Sequence, residues 1–131
     1  MSELYKNNDS IIAKKSYVFA LEIISTYKFL IQEKKEFVLS KQLLRAGTSI
    51  GANVNEAICA QSKRDFVHKL SIALKEARET DYWIHLLKDS EYIDTQTFDN
   101  LKEHCNENIN ILTSIILTTK QKYFKQSTNN S

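Results

Sequence analysis

The chain has 131 residues, no proline and two glycines, and 42% of its residues are hydrophobic. This length and composition are typical of one globular domain and exclude strand-and-turn architectures, which need more turn residues. The formal net charge of +2 is too small to indicate a nucleic-acid-binding protein by itself. The sequence contains neither an apolar run of ~20 residues nor a signal-peptide block. We therefore expect a cytoplasmic protein with no membrane contact.

The first helix is expected over about residues 10–34, after an N-cap at Asp9 or Ser10. Its apolar side chains form two neighbouring rows, one of Tyr17, Leu21, Ile24, Tyr27 and Ile31, the other of Phe19, Ile23 and Leu30. Two rows are more than one packing face of a bundle helix needs. We therefore expect the row that contains Phe19 to meet a partner surface.

The second helix, expected over about residues 38–60, carries a polar stripe beside its apolar one. The polar stripe consists of Arg45, Ser49, Asn53 and Glu56, spaced four, four and three residues apart. These side chains fall within one narrow strip of helix surface, roughly a third of a turn from the apolar face. The polar stripe should therefore lie on a flank, where the helix meets a neighbouring helix or a second subunit.

The third helix, over about residues 63–90, has a capping-box pattern in which Ser62 is the cap and Asp65 occupies the third helical position. Its apolar and small side chains then follow a 4-3 spacing typical of a left-handed bundle: Phe66, Leu70, Ala73, Ala77, Thr80, Ile84 and Leu87. The fourth helix, over about residues 95–124, begins after Asp94. Its predicted apolar face consists of Phe98, Leu101, Cys105, Ile109, Leu112 and Ile116, and extends toward Tyr123.

Four helices with short connections predict an all-α, up-down-up-down antiparallel four-helix bundle that forms a single domain over residues 1–131. Residues 1–8 and 126–131 are expected to be frayed. Cys59 and Cys105 are expected to be reduced thiols in or near the helix packing. Residues 1–75 carry twelve basic and seven acidic side chains, whereas residues 76–107 carry three and nine. These opposite charges can meet within the fold or between subunits.

No sequence pattern indicates catalysis, a cofactor or a metal site. The three histidines do not form a ligand set, and the sequence has neither HExxH nor a paired CxxC motif. A carboxylate cluster around Glu56 and Glu79 lacks the Glu-x-x-His motif of diiron bundles. We interpret Glu56 or Glu79 as the ion-pair partner of Arg45 or Arg78. We therefore expect no enzymatic activity, no cofactor and no small-molecule substrate.

Basic side chains cluster at the start of the third helix, where the candidate nucleic-acid residues are Lys63, Arg64, His68 and Lys69. Aromatic side chains stand next to lysines at Tyr5, Tyr123 and Phe124. Single-stranded nucleic acid can use this combination, because bases stack on the rings and phosphates pair with the amines. The alternative is that the basic cluster is an ordinary solvated helix face.

The second helix also resembles the signature of a known family. Residues 42–46 (QLLRA), residues 48–53 (TSIGAN) and Glu56 are similar to bacterial four-helix-bundle proteins encoded by intervening sequences within 23S rRNA genes, and to their stand-alone relatives. The resemblance continues on the third helix at Ser62, Asp65, Phe66, Leu70, Ile72, Ala73, Leu74, Glu79 and Asp81. It covers about residues 10–120, with Gly51 at a position where many members have proline.

The resemblance implies a four-helix bundle that assembles into a ring-like homopentamer, with RNA binding or ribosome association as its function. A related protein, the accessory variability determinant of diversity-generating retroelements, has a similar pentameric barrel that binds nucleic acid and a reverse transcriptase. Three hypotheses stay open at this point. The protein is a homo-oligomeric RNA-binding bundle, an oligomeric protein-interaction scaffold without nucleic-acid binding, or an enzyme that uses a carboxylate cluster.

Overall fold

The computed structural model describes residues 10–124 and contains four α-helices in this range. They are α1 (Ser10–Gln32), α2 (Leu39–Ile58), α3 (Lys63–Asp89) and α4 (Thr95–Tyr123). No strand occurs in the described part of the chain, so the all-α class is confirmed and the fold is consistent with a four-helix bundle. The predicted cap at Asp9 and the predicted fraying of both termini lie outside the described residues.

The helices enclose one hydrophobic core to which each contributes a buried row. In α3 the predicted row is buried from Leu70 to Leu87. Its first residue, Phe66, is only half-buried, and the neighbouring Val67 is buried instead. The apolar stripe that the spacing predicts for α2 is buried except at its first residue, Leu39, which is half-buried; its other members are Leu43, Ala46, Ile50, Val54 and Ala57. In α4 the core also includes Asn108, whose Nδ2 donates a hydrogen bond to the carbonyl oxygen of His104 at 2.9 Å.

The core face of α1 differs from the prediction. Phe19, Ile23 and Leu30 are fully buried in the core of the same chain, whereas Tyr17 and Leu21 are 45% and 51% exposed. The expectation that the row of Phe19 needs a further partner surface is therefore wrong. The physical reason is the close approach of α1 and α2, because Ile23 packs directly against the backbone of α2 at a residue without a side chain. That residue is Gly47, where a Cβ would lie only 2.7 Å from Cγ1 of Ile23.

The start of α3 has the predicted side-chain cap, whereas the start of α2 has a cap that was not predicted. The Ser62 side chain accepts a hydrogen bond from the Asp65 amide at 3.0 Å, which confirms the predicted cap of α3. At the start of α2, Val38 offers no side-chain cap. Instead the buried Glu36 carboxylate accepts hydrogen bonds from the amides of Val38 and Ser40, at 3.1 and 2.6 Å, and from that of the intervening residue at 3.0 Å.

The Glu36 carboxylate therefore stabilises the three amides at the start of α2, which have no partner within the helix. Burial by itself raises the pKa of this carboxyl group, but the hydrogen bonds from the amides outweigh it, so the pKa of Glu36 is lowered. Its backbone contributes as well, because its carbonyl oxygen accepts a hydrogen bond from the Ser40 hydroxyl at 2.7 Å. One acidic residue thus joins the turn after α1 to the first turn of α2.

We expect Glu36→Gln to lower the free energy of unfolding by about 1–2 kcal/mol at neutral pH, because the amide group presents one acceptor oxygen instead of two. Since the pKa of Glu36 is lowered in the folded state, the stabilisation is present above its ordinary value of 4.5 and is lost as the pH falls through the lowered one. The difference between the two proteins, measured by urea unfolding, should therefore shrink in acid. Glu33→Gln, an exposed glutamate of the same turn, is the control and should change little.

The two glycines of α2 should respond in opposite ways to alanine. Gly47→Ala would place a methyl group against the fully buried Ile23, and we expect a loss of about 1–3 kcal/mol that exceeds the gain in helix propensity. Gly51→Ala would place its Cβ 3.4 Å from the carbonyl oxygen of Ser16, an ordinary contact. It should be neutral or stabilise the protein by up to ~1 kcal/mol. Equal effects of the two substitutions on thermal unfolding would contradict the packing described here.

Candidate nucleic-acid interface

The polar stripe of α2 faces α3 of the same chain at both ends. Arg45 Nη1 lies 3.2 Å from Glu76 Oε1, and Arg45 Nη2 pairs with Glu79 Oε2, which also accepts a hydrogen bond from Trp83 Nε1 at 3.1 Å. The predicted pairing of Glu79 with Arg45 is therefore confirmed. At the other end, Glu56 Oε1 lies 2.9 Å from Lys69 Nζ, so Glu56 pairs with a lysine and not with an arginine.

The middle of the stripe is hydrogen-bonded within α2. The Ser49 hydroxyl donates to the Arg45 carbonyl oxygen at 2.6 Å, and Asn53 Nδ2 donates to the Ser49 carbonyl oxygen at 2.8 Å. Such bonds to the preceding turn are a common way for short polar side chains to be satisfied within a helix. Asn53 is half-buried, which agrees with a position on the flank. Each residue of the stripe thus has a partner in its own chain.

Among the four candidate nucleic-acid residues, Lys69 differs from the rest because its amine pairs with Glu56. The Lys69 amine donates a hydrogen bond to the Glu56 carboxylate, and this bond together with the negative charge of Glu56 raises the pKa of Lys69. Lys63, Arg64 and His68 are exposed on the first two turns of α3. The structure therefore brings three of the four predicted residues to an open surface and places the fourth in an ion pair between helices.

The last turn of α4 lies against the first turn of α3. Lys63 Nζ is 4.9 Å from the ring centroid of Tyr123, and Lys122 Nζ is 5.3 Å from the same ring. The guanidinium of Arg64 is 5.6 Å from the ring of Phe124. We call this surface the basic end, and its residues are Lys63, Arg64, Phe66, His68, Lys120, Lys122, Tyr123 and Phe124. Tyr5, the third aromatic residue predicted to take part, lies outside the described residues.

A shallow cavity of about 430 Å³ opens in the basic end, lined by Arg64, Val67, Lys120 and Phe124. Its walls combine an apolar surface with two cationic groups. Lys120 and Lys122 were not predicted to lie near Lys63, because they are more than fifty residues from it in the chain. The signal that could have found them is topological, since the end of a fourth antiparallel helix lies beside the start of the third.

The described residues give little support for a metal site, a membrane-spanning helix or a reactive thiol at Cys105. Between residues 10 and 124, no group of three or more His, Cys, Asp or Glu side chains is placed to hold a metal ion. Over the same range, no helix has the length and apolarity to cross a membrane. Burial raises the pKa of the Cys105 thiol to about 12, and the negative charge of Asp81 adds to the effect. This thiol therefore stays protonated at neutral pH and is not an activated nucleophile.

Comparisons with known proteins connect this fold to one family. A family model described as 23S rRNA-intervening sequence protein matches residues 8–114. The chain belongs to this family. A solved structure from Bacteroides thetaiotaomicron, a protein with unknown function from the S23 ribosomal protein family, is 52% identical and has a TM-score of 0.80. The match covers 81% of this chain and 98% of that one. No curated protein matches the chain.

The family match confirms the resemblance seen in α2 and α3. The matched range includes the whole polar stripe and the half of the basic end that α3 contributes. It ends at residue 114, before Lys120, Lys122, Tyr123 and Phe124. The half of the basic end that α4 contributes therefore lies beyond the part of the chain that the family model describes.

Substitution of the ion pair between Arg45 and Glu79 should affect stability slightly and leave the mass in solution unchanged. Both side chains are partly exposed, at 48% and 33%, so a double-mutant cycle with Arg45→Met and Glu79→Gln should give a coupling energy of about 0.3–1 kcal/mol. Arg78→Met, at an exposed position of α3, is the control. A lower mass by light scattering for Arg45→Met alone would show that the stripe contacts a second subunit instead.

Proposed function

We propose that this protein is a non-enzymatic, cytoplasmic, homo-oligomeric four-helix bundle that binds RNA through its basic end. The observation that carries the proposal is that cations of α3 and α4 converge at the basic end. Lys63 and Lys122 contact the exposed ring of Tyr123, and Arg64 and Lys120 line one cavity together with Phe124. Phosphate groups are bound by such cations, and this contribution dominates the affinity of most nucleic-acid complexes. The description of the Bacteroides structure, which names a ribosomal protein family, supports an RNA-associated role.

We infer an up-down-up-down antiparallel topology for the bundle. Pairs between packed helices support it, because the residue numbers rise along one helix as they fall along its neighbour. Such pairs are Arg45–Glu79 and Glu56–Lys69 between α2 and α3, Ala77–Cys105 and Asp81–Lys102 between α3 and α4, and Lys15–Glu107 and Glu22–His104 between α1 and α4. This topology places the N-terminus of α3 and the C-terminus of α4 at the same end of the molecule. The basic end is a direct consequence of that arrangement.

The charge distribution of the chain supports binding at this end. Residues 76–107 hold nine acidic side chains, and they form most of α3 beyond its first turns together with the first half of α4. Polyanions are repelled by this region and attracted to the opposite end of the same two helices. A chain with a formal net charge of only +2 can thereby present a strongly basic surface.

Self-association through α1 is the second part of the proposal. Several large apolar side chains of α1 remain exposed in a single chain, namely Ile11, Tyr17, Val18, Leu21 and Phe29. Exposed apolar surface of this kind marks interfaces in soluble proteins. We call these five residues the exposed apolar row of α1. We propose that a second copy covers it, and that the assembly is the homopentameric ring implied by the family resemblance. The exposed apolar row, and not the buried row of Phe19, is then the subunit contact.

Absence of catalysis is proposed because the candidate carboxylates already serve another purpose. Glu56, Glu76 and Glu79 are engaged in ion pairs between α2 and α3, and Glu79 also binds the indole of Trp83. A general acid or base needs a carboxyl group that can reach a substrate proton. The second candidate function is an oligomeric protein-interaction scaffold without RNA binding. The apolar residues Phe37 and Val38, which are 53% and 71% exposed in the turn before α2, favour it.

The test of RNA binding is its salt dependence. We expect a variant with Lys63→Ala, Arg64→Ala and Lys122→Ala to bind a fluorescent RNA more weakly. The slope of log Kd against log salt should fall by about 2, since each contact with a single strand contributes ~0.7. The matched control removes the same charge at three exposed lysines outside the basic end, in Lys28→Ala, Lys41→Ala and Lys75→Ala. Equal losses in the two variants would exclude the basic end, and no binding by the unmodified protein at low salt would favour the scaffold.

The test of self-association is a charge placed in the exposed apolar row of α1. Leu21→Glu should lower the mass measured by light scattering toward that of a single chain, because a carboxylate in an apolar interface is costly to desolvate. Tyr82→Glu is the control, since Tyr82 is similarly exposed on α3. A single-chain mass for the unmodified protein would show that the family's implied assembly does not apply here. Light scattering should be preceded by nuclease treatment, so that bound RNA does not add to the mass.

A further inference from the structure

We propose that the basic end recognises single-stranded RNA in preference to duplex RNA, by stacking an unpaired base on Tyr123 while Lys63, Lys122 and Arg64 bind the flanking phosphates. This inference rests on the proposed function, namely that RNA binds at the basic end. It adds the kind of RNA and the interaction that selects it. Three observations support it: the exposure of the ring, the positions of the cations, and the shape of the adjoining cavity.

The ring of Tyr123 is accessible and surrounded by cations. The residue is 47% exposed, and the amines of Lys63 and Lys122 lie 4.9 and 5.3 Å from its centroid. Each contact is a cation–π interaction at an exposed site, which is weaker than the stacking of a nucleobase on an aromatic ring. A base can therefore replace one ammonium group over the ring. The displaced ammonium then lies within a side-chain length of the phosphates on either side of that base, where its charge is better paired.

The cavity beside this ring fits the same ligand. Its volume of about 430 Å³ lies in the range of small-molecule sites, about 300–1,000 Å³. Val67 and Phe124 provide an apolar wall, while Arg64 and Lys120 place positive charge at the cavity. An unpaired nucleotide is complementary to these two features, because its base has an apolar face and its phosphate is anionic. Phe124 of the cavity follows Tyr123 in the chain, and Arg64 of the cavity follows Lys63, which contacts the Tyr123 ring. We therefore expect neighbouring nucleotides of one strand to occupy the cavity and the ring.

Duplex RNA cannot use these features. Its bases are already stacked on one another, and proteins recognise the A-form helix through its phosphates and the 2′-hydroxyl groups of its shallow minor groove. A duplex would therefore contact the lysines and the arginine but gain nothing from the aromatic rings. The two forms of RNA should differ in their dependence on Tyr123 and agree in their dependence on the cations.

The experiment measures binding of a labelled oligouridylate of about 12 nucleotides and of a duplex RNA of equal length to the full chain, by fluorescence anisotropy. Tyr123→Leu removes the aromatic face, Tyr123→Phe retains it, and Tyr82→Leu is the control at another exposed tyrosine. We expect Tyr123→Leu to weaken single-strand binding about tenfold with an unchanged salt slope, and to leave duplex binding unchanged. Tyr123→Phe and Tyr82→Leu should bind like the unmodified protein. Thermal unfolding followed by circular dichroism verifies that each variant is folded.

The outcomes separate this inference from the proposed function. If the cation variant Lys63→Ala, Arg64→Ala, Lys122→Ala loses affinity but Tyr123→Leu does not, RNA binds at the basic end without stacking, and only the inference is overturned. If Tyr123→Leu weakens single-strand and duplex binding equally, the Tyr123 ring does not distinguish the two forms of RNA, and the inference is overturned. If the cation variant binds both forms of RNA like the unmodified protein, the basic end is not the site, and the proposed function fails together with the inference.

Discussion

The close packing of α2 against α1 and α3 positions the other helices of the bundle. At Gly47 the backbone of α2 accommodates the Ile23 side chain of α1, and this contact decides which face of α1 enters the core. On the other flank, ion pairs of Arg45 and Glu56 join α2 to α3. Apolar burial stabilises the assembly of helices, while the close contact at Gly47 determines which face of α1 is buried. The orientation of α1 about its own axis that buries Ile23 leaves Leu21 exposed to solvent. The exposed apolar row of α1 is therefore a consequence of the contact at Gly47.

Features determined by residues close together in the sequence could be predicted from it. The cap at Ser62 and the buried rows of α2 and α3 follow from local spacing, and the structure confirms them except at Leu39 and Phe66, the first residue of each row, which are half-buried. The core face of α1 could not be predicted in this way, because both of its rows are apolar and only the contact with Gly47 distinguishes them. The same applies to Glu36, whose capping role requires a turn that returns the carboxylate to the amides of the next helix.

The candidate site was predictable only in part, for the same reason. The basic side chains at the start of α3 are adjacent in the sequence and were identified together. Their partners Lys120 and Lys122 come from the end of α4, and only the packing of the two helices brings them near Lys63. Lys69 shows the converse, since a basic residue that looked available in the sequence is paired with Glu56. Local sequence patterns therefore identify the residues at each helix end, but they do not predict that the two ends form one surface.

Membership of the family of 23S rRNA-intervening sequence proteins agrees with the four-helix fold, while the position of the charges indicates where we propose that RNA binds. We propose that RNA contacts the end formed by α3 and α4. Photocrosslinking to an RNA that carries 4-thiouridine, followed by mass spectrometry of the digested protein, locates the contact. We expect crosslinked peptides that contain Lys63 to Lys69 or Lys120 to Phe124. Crosslinks confined to the acidic segment over residues 76–107, or to the exposed row of α1, would contradict it.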